Sequence, residues 1–197
     1  KCAVAKYNKD IGRSTYFEEG IMNQTRMTIQ GDKFLINGEL TYSEIDECPY
    51  RGLLMNARFI QGIYDDRTGR ERYNRFGKIF DPDVNTDELI QSLVEWYKAG
   101  LRAFTVGVQG GGPCYTIPLE SIDNNPYGHD GNHLDEAYLK RLSRLIDAAD
   151  RVGMVVIVSL FYGVQSRYLT DDDAVELATA NICRWLKEKG YTNVIIE

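Results

Sequence analysis

What this 197-residue chain lacks narrows its function before any motif is read. Cationic excess is missing: 23 Lys and Arg stand against 29 Asp and Glu, for a formal charge of -6 and a pI near 5.1. Without cations to neutralise phosphates, nucleic acid and anionic membrane surfaces are poor partners, and a neutral or cationic small ligand fits better. No apolar run approaches the roughly 20 residues that span a bilayer, and KCAVAKYNKD at the start has too short an apolar segment for a signal peptide. Lys1 is not an initiator Met, as expected of a processed or trimmed product. The four cysteines (Cys2, Cys48, Cys114, Cys183) form no CxxC pair, which argues against a zinc ribbon or thioredoxin-type site. They fit free buried thiols or one or two disulfides. The sequon Asn23-Gln24-Thr25 matters only in a secreted protein.

What is present is material for a core: 43% of residues are hydrophobic and 11% aromatic, in a length usual for one domain. Residues 26–42, RMTIQGDKFLINGELTY, alternate apolar and polar around Gly31-Asp32 and Asn37-Gly38, which predicts a small β-ribbon. From residue 53 the period changes. LLMNARFI (53–60), LRAFTVGV (101–108), MVVIVSLFY (154–162) and YTNVII (191–196) read as buried strands. Between them lie three amphipathic segments. The first has Asn85 with Glu88 as a capping box, Leu89, Leu93, Trp96 and Tyr97 on one face, and Gly100 as its stop. The second carries Tyr138, Leu142, Leu145, Ile146 and Ala149 on one stripe. The third is capped by Thr170 and Asp173, with Val175, Ala178, Ile182, Trp185 and Leu186 inward.

Strands apolar at nearly every position, alternating with amphipathic helices, predict an α/β fold with parallel pairing and helical cover. Right-handed crossovers leave an open doubly wound sheet or a (β/α)₈ barrel of the TIM type. Short helix-to-strand links, long strand-to-helix links and a ribbon placed to plug the bottom favour the barrel.

Several motifs carry chemistry in principle. The longest connection, Gln109 to His133, exceeds the 12–15 residues usual for an ordered loop, which points to a functional segment. Its Gly110-Gly111-Gly112 does not open a helix, as a phosphate cradle requires, because Pro113 and further loop intervene. His129 and His133 sit in a polar HDGN turn where no helix presents both rings on one side, so exposed loop histidines are expected. Cys114 lacks the spacing evidence for a nucleophile with a base.

The stretch MNARFIQGIYDD is more informative: Arg58, Gln61, Asp65 and Asp66 cluster after the first core strand, in position to orient a carboxylate, bind sugar hydroxyls or tie down the loop as salt bridges. By the same logic Gln109 ends the second strand, and Phe161, Tyr162 and Gln165 end the third. Aromatic rings beside amides suit carbohydrate, although aromatic residues also fill cores. No metal ligands or cofactor motif emerge from this reading.

The succession FLINGELTY, GLLMNARFIQGIYDD, FDPDVNTDELIQSLVEWYKAGLRAFTVGVQGGGPCY, LDEAYLKRLSRLIDAADRVGMVVIVSLFYG and WLKEKGYTNVIIE, from about Met27 to Glu197, resembles the N-terminal half of cellulase-like glycoside hydrolases of clan A. The resemblance implies a (β/α)₈ barrel: an irregular segment over 1–25, a hairpin and link over 26–50, and the first half of the barrel over 51–197. It implies a retaining mechanism on β-linked carbohydrate, with an acid/base glutamate after an Asn on the fourth strand and a nucleophilic glutamate on the seventh. Two such carboxyls stand about 5–5.5 Å apart. Glu197 resembles the strand-four glutamate just before the Asn-Glu pair, so the catalytic pair is expected beyond it. A competing register makes Glu197 itself the acid/base, but Ile195 and Ile196 precede it where an Asn belongs. The family's substrate-binding Arg and His have no obvious counterparts: Arg102 begins its strand, far from the mouth, and the third strand ends in Phe161-Tyr162. A secreted or periplasmic location is what the resemblance favours.

The alternative from another class is a non-catalytic carbohydrate-binding or assembly protein on an incomplete barrel, whose open edges call for the missing half or for self-association. A Schiff-base aldolase is disfavoured, since no lysine lies near a predicted strand C-terminus.

Overall fold

The computed structural model describes residues 23–110 and 123–197. The expectations placed on Cys2, on most of the N-terminal segment, and on Gly111, Gly112, Pro113 and Cys114 fall outside those residues. The fold is α/β. A three-stranded antiparallel ribbon, β1 (Met27–Gln30), β2 (Lys33–Ile36) and β3 (Glu39–Leu40), precedes a four-stranded parallel sheet. The sheet holds β4 (Asn56–Arg58), β5 (Ala103–Gly107), β6 (Val155–Ser159) and β7 (Val194–Ile196) in that spatial order. The helices α1 (Pro82–Lys98), α2 (Glu136–Val152) and α3 (Asp172–Lys189) form the crossovers.

The ribbon follows from its turns. Asn37 and Gly38 both take positive φ (54° and 84°) between the paired Ile36 and Glu39, the type of turn whose twist matches two antiparallel strands. Asn37 Oδ1 also accepts from the Arg26 N–H at 2.7 Å. The ribbon is fastened to the N-terminal end of the sheet. Asp150 accepts from the N–H groups of Gln24 (2.9 Å) and Thr25 (2.8 Å), and the Met27 N–H donates to the Thr192 carbonyl at 3.0 Å. Arg102, at the start of β5, completes the fastening. Its guanidinium lies 4.1 Å from the Tyr97 ring centre and 5.0 Å from that of Tyr42, and it donates to Glu44 at 2.8 Å. Burial pushes the Glu44 carboxyl up, but hydrogen bonds from its own backbone and from Arg102 outweigh this and hold it below its usual range.

Strand order that advances without reversal, with crossovers of one hand, puts all three helices on one sheet face. Phe104, Val106 and Val108 of the β5 segment and Val156, Val158 and Leu160 of the β6 segment pack there with Leu93, Leu142, Ile146 and Ile182. Each such fully buried aliphatic chain contributes about 1.5–3 kcal/mol by leaving water. The α2 stripe matches its pattern, with Tyr138, Leu142, Leu145, Ile146 and Ala149 all buried.

Helix starts differ from the sequence reading. α1 begins at Pro82 with Asp81 as its cap, accepting from the N–H groups of Asp83 and Val84, so Asn85 and Glu88 form no capping box. Proline suits the first helical position because its missing N–H would have no partner there. α3 is capped by Asp171 rather than by Thr170 or Asp173. Trp96 lies at the margin of its stripe, 42% exposed. Cys48 and Cys183 are free thiols. Among the described residues, no helix is long and apolar enough to cross a membrane.

Candidate functional site

Each helix runs back along the sheet, so the links at residues 59–81 and 160–171 and the described parts of the one between β5 and α2, 108–110 and 123–135, gather at the C-terminal strand ends. Two environments meet there.

The first is closed. Gln109 has no exposed surface, and its amide is fully engaged: Nε2 donates to Asn125 Oδ1 (3.2 Å) and to the Gln165 carbonyl (3.3 Å), while Oε1 accepts from the Tyr162 N–H (3.0 Å). Gln165 is equally buried, and its Oε1 accepts from the Asn124 N–H at 3.0 Å. Asn124 donates to the Gln109 and Gly110 carbonyls and accepts from the Tyr138 hydroxyl. Asn125 donates to the Gly128 carbonyl at 2.8 Å. These four amides bind the three links into one block. Burial pushes the Tyr138 phenol far above its ordinary range, so it stays a neutral donor, reaching the Asp65 carbonyl at 3.1 Å as well.

Asp65 belongs to the same block. Its carboxylate receives two parallel bonds from Arg70, from Nε at 2.9 Å and Nη2 at 2.8 Å, which is the fork geometry a guanidinium prefers. That bonding, ahead of a smaller opposing effect of burial, raises the Arg70 pKa. Asp66 is wholly buried and accepts from the Thr68 and Gly69 N–H groups, with Arg72 Nε 3.1 Å from its second oxygen. Asp65 and Asp66 therefore act on the loop itself.

The second environment is open. Arg58 is exposed at the end of β4 and, with Gln61 and Asn85, lines a cleft of 210 Å³. Asn85 Nδ2 donates to the Gln61 carbonyl at 2.8 Å and Thr86 Oγ1 to that of Gly62 at 2.8 Å, which fixes this corner to the first turn of α1. Phe161 is half-buried with its ring centre 5.4 Å from that of Tyr127, and Tyr162 is half-buried beside Gln109.

Glu197 extends the β7 ladder. Its N–H donates to the Val158 carbonyl at 2.9 Å, and its carbonyl accepts from the Leu160 N–H at 3.1 Å, which sets it beside Ser159. Ser159 in turn pairs with Gly107. Side chains alternate along a strand, so Glu197 shares a face with Ser159, and Arg58 shares it one row earlier with Thr105, Ile157 and Ile195. That face is turned away from the helices.

His129 and His133 are exposed, with His129 Nδ1 2.8 Å from the Tyr168 carbonyl, and no metal-holding group of His, Cys, Asp and Glu occurs among the described residues. The residues that sequence reasoning missed are Asn124 and Asn125, the hubs of the amide block. Their signal is slight: Asn-Asn-Pro in a long loop reads as a turn, and nothing local shows that these amides meet Gln109. Set against family models, curated proteins and solved structures, the chain matches none of them.

Proposed function

We propose that these residues form the first four β/α units of a (β/α)₈ barrel whose intact protein hydrolyses β-glycosidic bonds. Four parallel strands in sequential order, with every helix on one face, suit a barrel wall better than a doubly wound sheet, where strand order reverses at the ligand site. The observation that carries the reading is the shared inner face: Arg58 and Glu197 project from opposite edge strands onto the side away from the helices, where a barrel holds its substrate. Arg58 and Gln61 orient sugar hydroxyls, and Tyr162 offers a ring for the apolar face of a pyranose. Asp65 is committed to Arg70 and provides no catalytic carboxylate.

In this reading the acid/base and nucleophile lie beyond residue 197, where a strand continuing from Glu197 keeps alternate side chains facing inward. Residues 1–197 alone bind β-linked oligosaccharide without cleaving it; the intact protein cleaves it with retention of anomeric configuration, monitored by proton NMR of the products. Hydrolysis by residues 1–197 that survives Glu197→Gln overturns the reading, as does an intact protein that neither binds nor cleaves.

A second reading is a non-catalytic carbohydrate-binding or assembly protein. It is favoured by β4 and β7, each of which pairs on one side only among the described residues. Light scattering of the intact protein separates the two, since an open wall that serves assembly self-associates and a closed barrel has no free edge to pair.

A further inference from the structure

Beside the Arg58 cleft lies a second one, of 180 Å³, between the 3-10 turn at Arg70–Phe76 and the first turns of α1. Its chemistry is different. Tyr73, Phe76, Ile79, Phe80 and Val84 line it, and its floor is an aromatic cluster in which the Tyr73 and Phe80 ring centres stand 4.9 Å apart and those of Tyr64 and Phe80 5.4 Å. Three of these side chains are more exposed than a solitary domain favours: Phe76 at 51%, Ile79 at 89% and Val84 at 53%.

The charged residues at the rim are already occupied. Asp81 caps the α1 N–H groups, and Lys78 donates to Glu88 at 2.9 Å. An ionic ligand therefore gains little here, and an apolar one gains the full benefit of leaving water. The volume sets the size of that ligand, because a cavity of about 150 Å³ accepts a benzene ring. The position sets what it is attached to. Asn85 lines both clefts, so a molecule crossing Asn85 has a polar end at Arg58 and Gln61 and an apolar end among Phe76, Ile79 and Val84.

We infer that this cleft holds the apolar group of an amphiphilic β-glycoside, an aryl or short alkyl substituent joined to the sugar. The inference rests on the glycosidase reading above and gives it a substrate class.

The test uses the 197-residue chain with methyl-labelled Ile and Val, titrated separately with phenol, methyl β-cellobioside and phenyl β-cellobioside. Phenol and the phenyl glycoside shift the Ile79 and Val84 methyl signals, whereas the methyl glycoside does not. The phenyl glycoside binds on the order of tenfold more tightly than the methyl one, from the apolar area that its ring buries. The paired change Ile79→Ser with Val84→Ser, both at exposed positions, abolishes that advantage and leaves methyl β-cellobioside affinity unchanged. If both glycosides bind equally and Ile79 does not respond, the inference fails while the glycosidase reading stands. If phenol binds and neither glycoside does, the glycosidase reading fails and takes the substrate class with it.

Discussion

Gln109 and Gln61 both follow core strands at the same end of the sheet, yet Gln109 has no exposed surface while Gln61 is half-buried at the rim of a cleft. The difference lies in what surrounds each amide. Gln109 meets Asn125, Gln165 and Tyr162, and every donor and acceptor it offers is taken up by protein. Gln61 instead has its backbone carbonyl fixed by Asn85. One glutamine thus builds the frame, and the other is left at the rim of the cleft.

The strongest way to break that contrast is to remove the frame. Gln109→Leu strands the Tyr162 N–H, and it takes one of two donors from Asn125 Oδ1 and from the Gln165 carbonyl, which keep the Tyr127 N–H (3.3 Å) and the Tyr168 N–H (3.0 Å). With about 1–3 kcal/mol for the stranded group, the change costs roughly 2 kcal/mol. Urea denaturation of this variant is expected to show the midpoint falling sharply with an unchanged slope. A loss below about 1 kcal/mol means that water replaces the amide and the block is not closed.

On the open side, Asp81 sharpens the contrast because it borders the apolar cleft yet belongs to the frame. Its carboxylate accepts from the Asp83 and Val84 N–H groups at 2.9 and 3.0 Å. Asp81→Ala removes that cap and costs about 1 kcal/mol, whereas Asp81→Asn or Asp81→Ser retains most of the stability. Thermal melts of the three variants check the order.

The sequence carried the layers of this fold more plainly than it carried the site. Periodicity marked Tyr138, Leu142, Leu145 and Ile146 because burial on one stripe repeats every three or four residues, a local property of the chain. Asn37-Gly38 marked its turn for the same reason: the conformation that the turn needs is the one those residues tolerate. The start of α1 was misread because two acceptable signals lie close together, Asp81-Pro82 and Asn85 with Glu88, and the proline's fit to the first helical position decides for the earlier one. The amide block was illegible. Gln109, Asn124 and Gln165 become neighbours only when three links converge, and an amide's role depends on whether its partners are protein or solvent. Arg58, Gln61, Gln109 and Gln165 read alike as polar residues after strands, and only the three-dimensional placement divides them.

The smallest expected effect on stability is the most informative about function. Arg58 is exposed, and the Gln61 side chain lies half-open at the cleft, so Arg58→Ala and Gln61→Ala each change stability by no more than about 0.5 kcal/mol. In the proposed function, the same two changes remove the guanidinium and the amide that meet sugar hydroxyls. A lost hydrogen bond to a neutral partner weakens binding by about 0.5–1.5 kcal/mol, and one from a charged donor by about 1.5–3 kcal/mol. Calorimetric titration with β-linked oligosaccharide is therefore expected to show Arg58→Ala binding more weakly than Gln61→Ala, with both melting like the parent. Should both variants melt normally and bind undiminished, the open corner holds no sugar and the division between frame and site falls. Should Gln61→Ala instead melt as poorly as Gln109→Leu, its amide belongs to the frame and the comparison loses its open member.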